Sequence, residues 1–266
     1  MSNTATVLAF DFGASSGRAI RAVYDGQNLT YEEIHRFENV PIEKDGHLCW
    51  DVETLLKEIH TAIQKAGTFD SLGFDTWGVD FGLLDTDGHL LANPVHYRDA
   101  RTNGKPEQAA ARMPAEELYA HTGNQIMAIN TLFQLLALQE QEPELLQKAE
   151  QILFMPDLFA ALLGAEPVCE RSIASTSQML DPRTGQWSRE VLAAYGLNEK
   201  HFAPIVASGT VTGTLANGAK IIAVAGHDTQ CASAAMPCAE EDAEHTAFLS
   251  CGTWSLLGTE LDAPIL

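Results

Sequence analysis

The residues best suited to chemistry in this sequence are a few carboxylates set among glycines and small hydroxyl residues. Asp228 stands in Gly226-His227-Asp228-Thr229, directly after the apolar run 221–225 and at the start of a helical pattern. A carboxylate there can take the proton from a substrate hydroxyl as its oxygen attacks phosphorus, the general-base part of phosphoryl transfer. The plain alternative is an Asp that caps the helix. A second acid, Asp11, opens Asp11-Phe12-Gly13-Ala14-Ser15-Ser16-Gly17-Arg18.

The Gly13–Gly17 stretch literally matches the G-x-S-x-G elbow of hydrolases, with Ser15 as nucleophile. An elbow, however, turns from strand into helix and borrows an oxyanion donor from an earlier loop. Here only twelve residues precede Gly13 and a strand pattern follows it. The stretch carries neither the G-K-[ST] ending of a P-loop nor the dinucleotide G-x-G-x-x-G. What remains is a tight hairpin whose backbone N–H groups and two hydroxyls can cradle a phosphate. Arg18 is near, and Asp11 is placed to orient a hydrated Mg2+. A plain Gly-Ser turn is the alternative. Cys251-Gly252-Thr253 forms a second turn of the phosphate type, though Gly-Thr turns are common. Asp75-Thr76-Trp77-Gly78-Val79-Asp80 sets an aromatic and a pliant backbone between two strands. An aromatic face suits the C–H side of a sugar while carboxylates and backbone groups take its hydroxyls; a buried core Trp is the alternative.

The elements that must position these residues read from hydrophobic periodicity. Residues 7–10 form a short apolar run, a buried strand whose acidic end emerges at a turn. Residues 18–24 and 29–37, separated by Asp25-Gly26, continue it as a three-strand meander. From Asp51 the period changes. Val52, Leu55, Leu56, Ile59, Ala62, Ile63 and Ala66 recur at helical spacing, with Asp51 as N-cap and Gly67 as C-cap. Strand patterns follow at 71–76 and 79–84, then helical stretches at about 104–121 and 130–148, the second apolar enough to be buried. Near the end come a strand at 221–225, a helix at 227–236 and a hairpin from 246–249 with 254–258. A meander followed by alternating helix and strand predicts an α/β fold with a mixed sheet.

Composition bounds the function classes. The 266 residues fit one large domain or two modest ones. With 16 Lys and Arg against 36 Asp and Glu, the net charge of −20 repels nucleic-acid backbones and anionic membranes. Local cationic groups and backbone donors can still hold a phosphate against that field. The five cysteines, Cys49, Cys169, Cys231, Cys238 and Cys251, include no C-x-x-C pair, which predicts neither a disulfide framework nor a zinc site and suggests a reducing, cytoplasmic setting. The opening MSNTATVLAF lacks the basic and apolar regions of a secretory signal.

Seven motifs in order resemble the FGGY carbohydrate kinases. They are the Asp11–Arg18 and Asp75–Asp80 stretches, Tyr97-Arg98-Asp99-Ala100-Arg101-Thr102, Asn130-Thr131-Leu132, Met155-Pro156-Asp157, Gly226–Thr229 and Gly252-Thr253-Trp254-Ser255. The D-T-W-G-V-D and A-S-S-G-R forms favour the branch acting on L-rhamnulose over those acting on xylulose or glycerol. The resemblance implies an actin-like ATPase, ribonuclease H-type fold in which ATP and sugar meet in a cleft between two domains. It implies that ATP, with Mg2+, phosphorylates the 1-hydroxyl of L-rhamnulose. It further implies that Ala14, Ser15, Ser16, Gly17, Arg18 and Thr253 contact the nucleotide phosphates, that Gly78, His227, Asp228 and Thr229 contact the sugar, and that Asp228 is the base. Trp77 and Tyr97 are expected to line the sugar pocket, and Asp11 to hold the metal through water. Residues 1–236 then correspond to the sugar-binding domain and 237–266 to the beginning of the nucleotide-binding one. Family members are considerably longer, so most of that second domain is expected to lie outside this sequence. A non-catalytic sugar-binding module of the same fold, or a kinase for another ketose such as L-fuculose, are the rival readings.

Overall fold

The computed structural model describes residues 4–239, 242, 245–251 and 255–266. Its centre is a six-stranded mixed sheet. Strands β1 (Ala5–Phe12), β2 (Ser16–Tyr24) and β3 (Leu29–Glu38) form the antiparallel meander expected from the sequence. After helix α1 (Val52–Ala66), strand β4 (Ser71–Thr76) returns parallel to β1. Two late strands, β5 (Thr210–Thr214) and β6 (Lys220–Ala223), complete the sheet in the order β5-β6-β4-β1-β2-β3, with β6 parallel to β4.

Helix α1 begins where the spacing places it, because the Asp51 carboxylate accepts the Thr54 N–H, and it ends at Gly67, whose φ of 67° suits a residue without a side chain. Its buried stripe Val52, Leu55, Ile59, Ala62 packs on one face of the sheet. On that same face, Leu8, Phe10 and Phe12 of β1 meet Phe74 of β4 and Phe159 of helix α2 (Met155–Leu162). The rings of Phe10 and Phe74 lie 4.9 Å apart and those of Phe12 and Phe159 4.8 Å apart, stacked in both cases. The alternate residues of β1 to β3 turn to the other face, where Ala9, Tyr24, Leu29 and Tyr31 are exposed.

The two long helical stretches at 104–121 and 130–148 are each broken. Helices occupy Lys105–Ala109 and Ala115–Thr122, then Thr131–Gln141 and Pro143–Lys148. Prolines explain both interruptions, since the residue before a proline is driven out of the helical region. Pro114 caps the second segment, and Glu142 adopts φ −136°, ψ 53° ahead of Pro143. Leu132, Phe133, Leu135 and Leu138 are buried as expected, but in a second apolar cluster with Phe81, Leu83, Val191, Leu192 and Tyr195. An antiparallel strand pair, Phe81–Leu84 with Gln151–Phe154, contributes to it. The 79–84 strand pattern therefore starts two residues late. Val79 sits at φ 68°, a left-handed conformation that a β-branched residue adopts only when its surroundings impose it.

Helix α3 (Asp228–Ala234) follows β6. A hairpin pairs Ala247–Cys251 with Ser255–Thr259. None of the helices formed by the described residues is long and apolar enough to cross a membrane.

Candidate active site

Strands β1, β4 and β6 run parallel to one another, and the candidate residues gather beyond their carboxyl ends, where open α/β sheets take their ligands. Asp11 and Asp75 are direct neighbours in the β1–β4 ladder, so their side chains share a face. It is the face away from the phenylalanine core. Asp11 is also paired across β1–β2 with Arg18, whose guanidinium lies 2.6 Å from its carboxylate. Asp228 enters from the first residue of α3 and completes the group. Burial and the charges of Asp11 and Asp228 push the Asp75 carboxyl up to about 8, against the opposing pull of Arg18. Asp11, Asp75 and Asp228 are close enough to interact electrostatically, but their oxygens are not drawn together into a cation-ligand cluster.

The turn between β1 and β2 is closed by the Gly13 N–H donating to Ser16 O at 2.8 Å. Asn39, buried just past β3, holds it from outside through two bonds: its Nδ2 donates to Gly13 O at 2.9 Å and its backbone N–H to Ser15 O at 3.0 Å. Ser15 is exposed, Ala14 and Ser16 are half-buried, and neither serine hydroxyl has a hydrogen-bond partner among the described residues. Gly17 differs from its expected role. It is buried, and a Cβ there would overlap the ring of Phe37, so its missing side chain is explained by core packing rather than by phosphate approach. Asn39 had no motif to mark it; a lone Asn after a strand is common.

Asp75-Thr76-Trp77-Gly78-Val79-Asp80 divides in two. Asp80 is 1% exposed, and its Oδ2 accepts from Trp50 Nε1 (2.6 Å), Trp77 Nε1 (3.0 Å) and the Tyr97 N–H (3.1 Å), while Oδ1 accepts from Gln134 Nε2 (2.9 Å). With both oxygens engaged, Asp80 anchors an aromatic stack instead of meeting sugar hydroxyls. Burial raises its carboxyl to about 6 despite those bonds. Trp77 packs 4.0 Å from Trp50, which stacks at 4.2 Å on His96, which stacks at 4.4 Å on Tyr97. Trp77 and Tyr97 are each 5% exposed, so both belong to the interior of this wall. Gly78 lies against Thr176, whose Oγ1 accepts the Val79 N–H at 3.0 Å, and Val79 O accepts from Thr131 Oγ1 at 2.6 Å. These two threonines hold the strained turn.

At the third segment, the capping alternative for Asp228 fails. His227 occupies the N-cap with no side-chain cap, and the Asp228 Oδ1 instead accepts from its own neighbour Thr229, from the N–H at 2.5 Å and Oγ1 at 3.1 Å. Asp228 keeps a half-exposed side chain, and His227 Nε2 lies 3.4 Å from it. Burial lowers the His227 pKa, with the Asp228 charge opposing. Cys231, one helical turn on, donates to Ala225 O at 2.8 Å, and burial raises its thiol to about 12, leaving it inert. Thr253, with Gly252 and Trp254, lies outside the described residues. The constellation thus brings together Asp11, Asp75, Arg18, the 13–17 turn and 227–229.

The fold agrees with what comparison shows. The family described as FGGY carbohydrate kinases, N-terminal domain, matches residues 6–234, and the chain belongs to that family. Its sequence is rhamnulokinase-like: it is 41% identical to a rhamnulokinase of Bacteroides thetaiotaomicron over 272 aligned residues, covering 97% of this chain and 56% of the relative. The chain therefore spans little more than half the length of that curated protein. Among solved structures, a carbohydrate kinase from Novosphingobium aromaticivorans superposes with a TM-score of 0.82 at 21% identity, covering 98% of this chain and 57% of the other. A gluconate kinase from Lactobacillus acidophilus gives 0.73 at 18% identity, covering 84% and 49%. At such identities these two speak for the fold alone, the actin-like ATPase architecture.

Proposed function

We propose that this chain is the sugar-binding half of an ATP-dependent ketose kinase that phosphorylates the 1-hydroxyl of L-rhamnulose, acting in the cytoplasm. The observation that carries the reading is the gathering of Asp11, Asp75 and Asp228 beside the Gly13–Ser16 turn, in a chain of this family. In this account Gly78 and His227 to Thr229 orient the sugar, and Asp228 takes the hydroxyl proton as the sugar oxygen forms its bond to the γ-phosphorus and the bond to ADP breaks. The backbone and hydroxyls of Ala14 to Ser16, with Arg18 and Thr253, hold the phosphates. Asp11, acting through water, is the residue that would hold Mg2+, which when bound neutralises phosphate charge. Residues 1–236 make up the sugar-binding domain, and 237–266 begin the domain that carries the nucleotide.

The test is a panel of ketoses with ATP, scored by ADP release. The protein is a kinase in which residues 1–236 of this chain are joined to the C-terminal portion of the Bacteroides thetaiotaomicron rhamnulokinase. L-Rhamnulose should be turned over most efficiently. Preference for L-fuculose or another ketose would refute the substrate, and ADP release independent of sugar would refute the kinase reading.

A further inference from the structure

Glu170 is 1% exposed and belongs to none of the sequence motifs, yet its carboxylate accepts five hydrogen bonds. Oε2 takes the Ser172 N–H (2.9 Å), Ser172 Oγ (2.6 Å), the Ile173 N–H (3.2 Å) and the Gly226 N–H (3.0 Å), and Oε1 takes Ser208 Oγ at 2.6 Å. Two N–H groups are what an N-cap of the short helix Arg171–Ser175 requires. The bonds to Ser208 and Gly226 exceed that task and reach across 38 and 56 residues.

Gly226 lies two residues before Asp228 and is held on both sides. Its carbonyl accepts the Thr76 N–H at 2.9 Å, tying it to β4, and its N–H is held by Glu170. A Cβ at Gly226 would come within 2.9 Å of Pro156 and 3.2 Å of Ile173, so the backbone lies pressed against both. Ser172 Oγ, itself donating to Glu170, also accepts the His227 N–H at 3.5 Å. The entry to α3 is thus gripped by β4 on one side and by one carboxylate on the other.

We propose that Glu170 is a positioning residue, which by holding the Gly226 N–H sets where Asp228 stands relative to the attacking hydroxyl. The proposal rests on the reading of Asp228 as the base. Glutamine should substitute well: its amide oxygen can face the four donors on the Oε2 side while its NH2 donates to the Ser208 hydroxyl, which can accept. Alanine leaves the Gly226 N–H without its acceptor, and Glu170→Asp keeps the charge but withdraws it by one methylene.

Hydrogen exchange on the 266-residue chain is the first readout. Glu170→Ala should speed exchange of the amides of 225–229 by about tenfold, the scale of one lost buried hydrogen bond, with Glu170→Gln near wild type. Leu192→Ala, a destabilising change in the second apolar cluster, should not reproduce that local effect. Should Glu170→Ala not fold, Glu170→Asp takes its place with the same expected ordering. In the joined kinase, alanine or aspartate should lower kcat by about 10²-fold, as a misplacement of about an ångström does, leaving the sugar KM nearly unchanged, and glutamine should restore kcat. Unchanged exchange at 225–229, equal exchange in Leu192→Ala, or normal kcat despite faster exchange would each overturn the proposal. If instead the exchange result holds but Asp228→Asn turns over normally, the failure lies with Asp228 as base.

Discussion

At the level of single residues, type and spacing showed some roles and concealed others. Asp11 and Asp228 stood out because each sits in a run of glycines and small hydroxyl residues next to an apolar strand, and the structure places both near Asp75. The Asp75–Asp80 stretch left a sugar-facing segment and a buried core as open alternatives, and Asp80 shows why they are hard to tell apart. A carboxylate beside a tryptophan suits a sugar pocket, and only three dimensions show both its oxygens consumed by Trp50, Trp77, Tyr97 and Gln134. Gly17 carries a testable correction. Because a Cβ there would meet the Phe37 ring, itself packed 5.3 Å from Phe12, Gly17→Ala should overpack the core and cost about 1–3 kcal/mol of stability. Denaturant unfolding of the 266-residue chain measures this. A variant as stable as wild type would return Gly17 to a phosphate-binding explanation.

At the level of elements, α1 and the strands β1 to β4 were legible because their periods are clean and their caps strong. The helices at 104–121 and 130–148 were read as continuous because periodicity outweighed Pro114 and Pro143, although each proline forbids its predecessor the helical conformation. Helix α2 holds a further consequence. Burial pushes the Asp157 carboxyl from its ordinary 3.8 up to about 8, and the nearby Glu170 adds to the rise. Between those values the unfolded chain releases this proton while the folded chain keeps it, so folding takes up a proton and stability falls as pH rises from about 4 to about 8. Asp157→Asn removes that term and its amide oxygen can still accept the Glu170 N–H, now at 3.1 Å. The gain in Tm of Asp157→Asn over wild type should therefore grow steadily from pH 4 to pH 8. A gain independent of pH, measured by thermal melts across that range, would contradict the assignment. Glu170 itself lacked any signal in the sequence, since its importance comes from contacts 38 and 56 residues away.

On the scale of the whole molecule, the sheet separates two tasks. One face is packed with phenylalanines and two helices, and the other presents the carboxylates at its edge, so the core fixes the geometry of the site without contributing chemistry to it. The net charge of −20 sets a long-range field that disfavours ATP, so in this account the local arrangement of Arg18 and the 13–16 turn has to favour it. Phosphoryl transfer depends on positioning and charge stabilisation more than on covalent chemistry. In this account the present chain supplies the sugar contacts and the base, and the portion matched to the other part of the 56%-covered relative supplies the nucleotide surface. The central claim, that Asp228 takes the proton of the attacking hydroxyl, is tested most directly by placing Asp228→Asn in the joined kinase and measuring kcat for L-rhamnulose alongside sugar affinity. The account predicts a fall in kcat of about 10²- to 10⁴-fold, the range for losing a general base, with affinity little changed; near-normal turnover would contradict it.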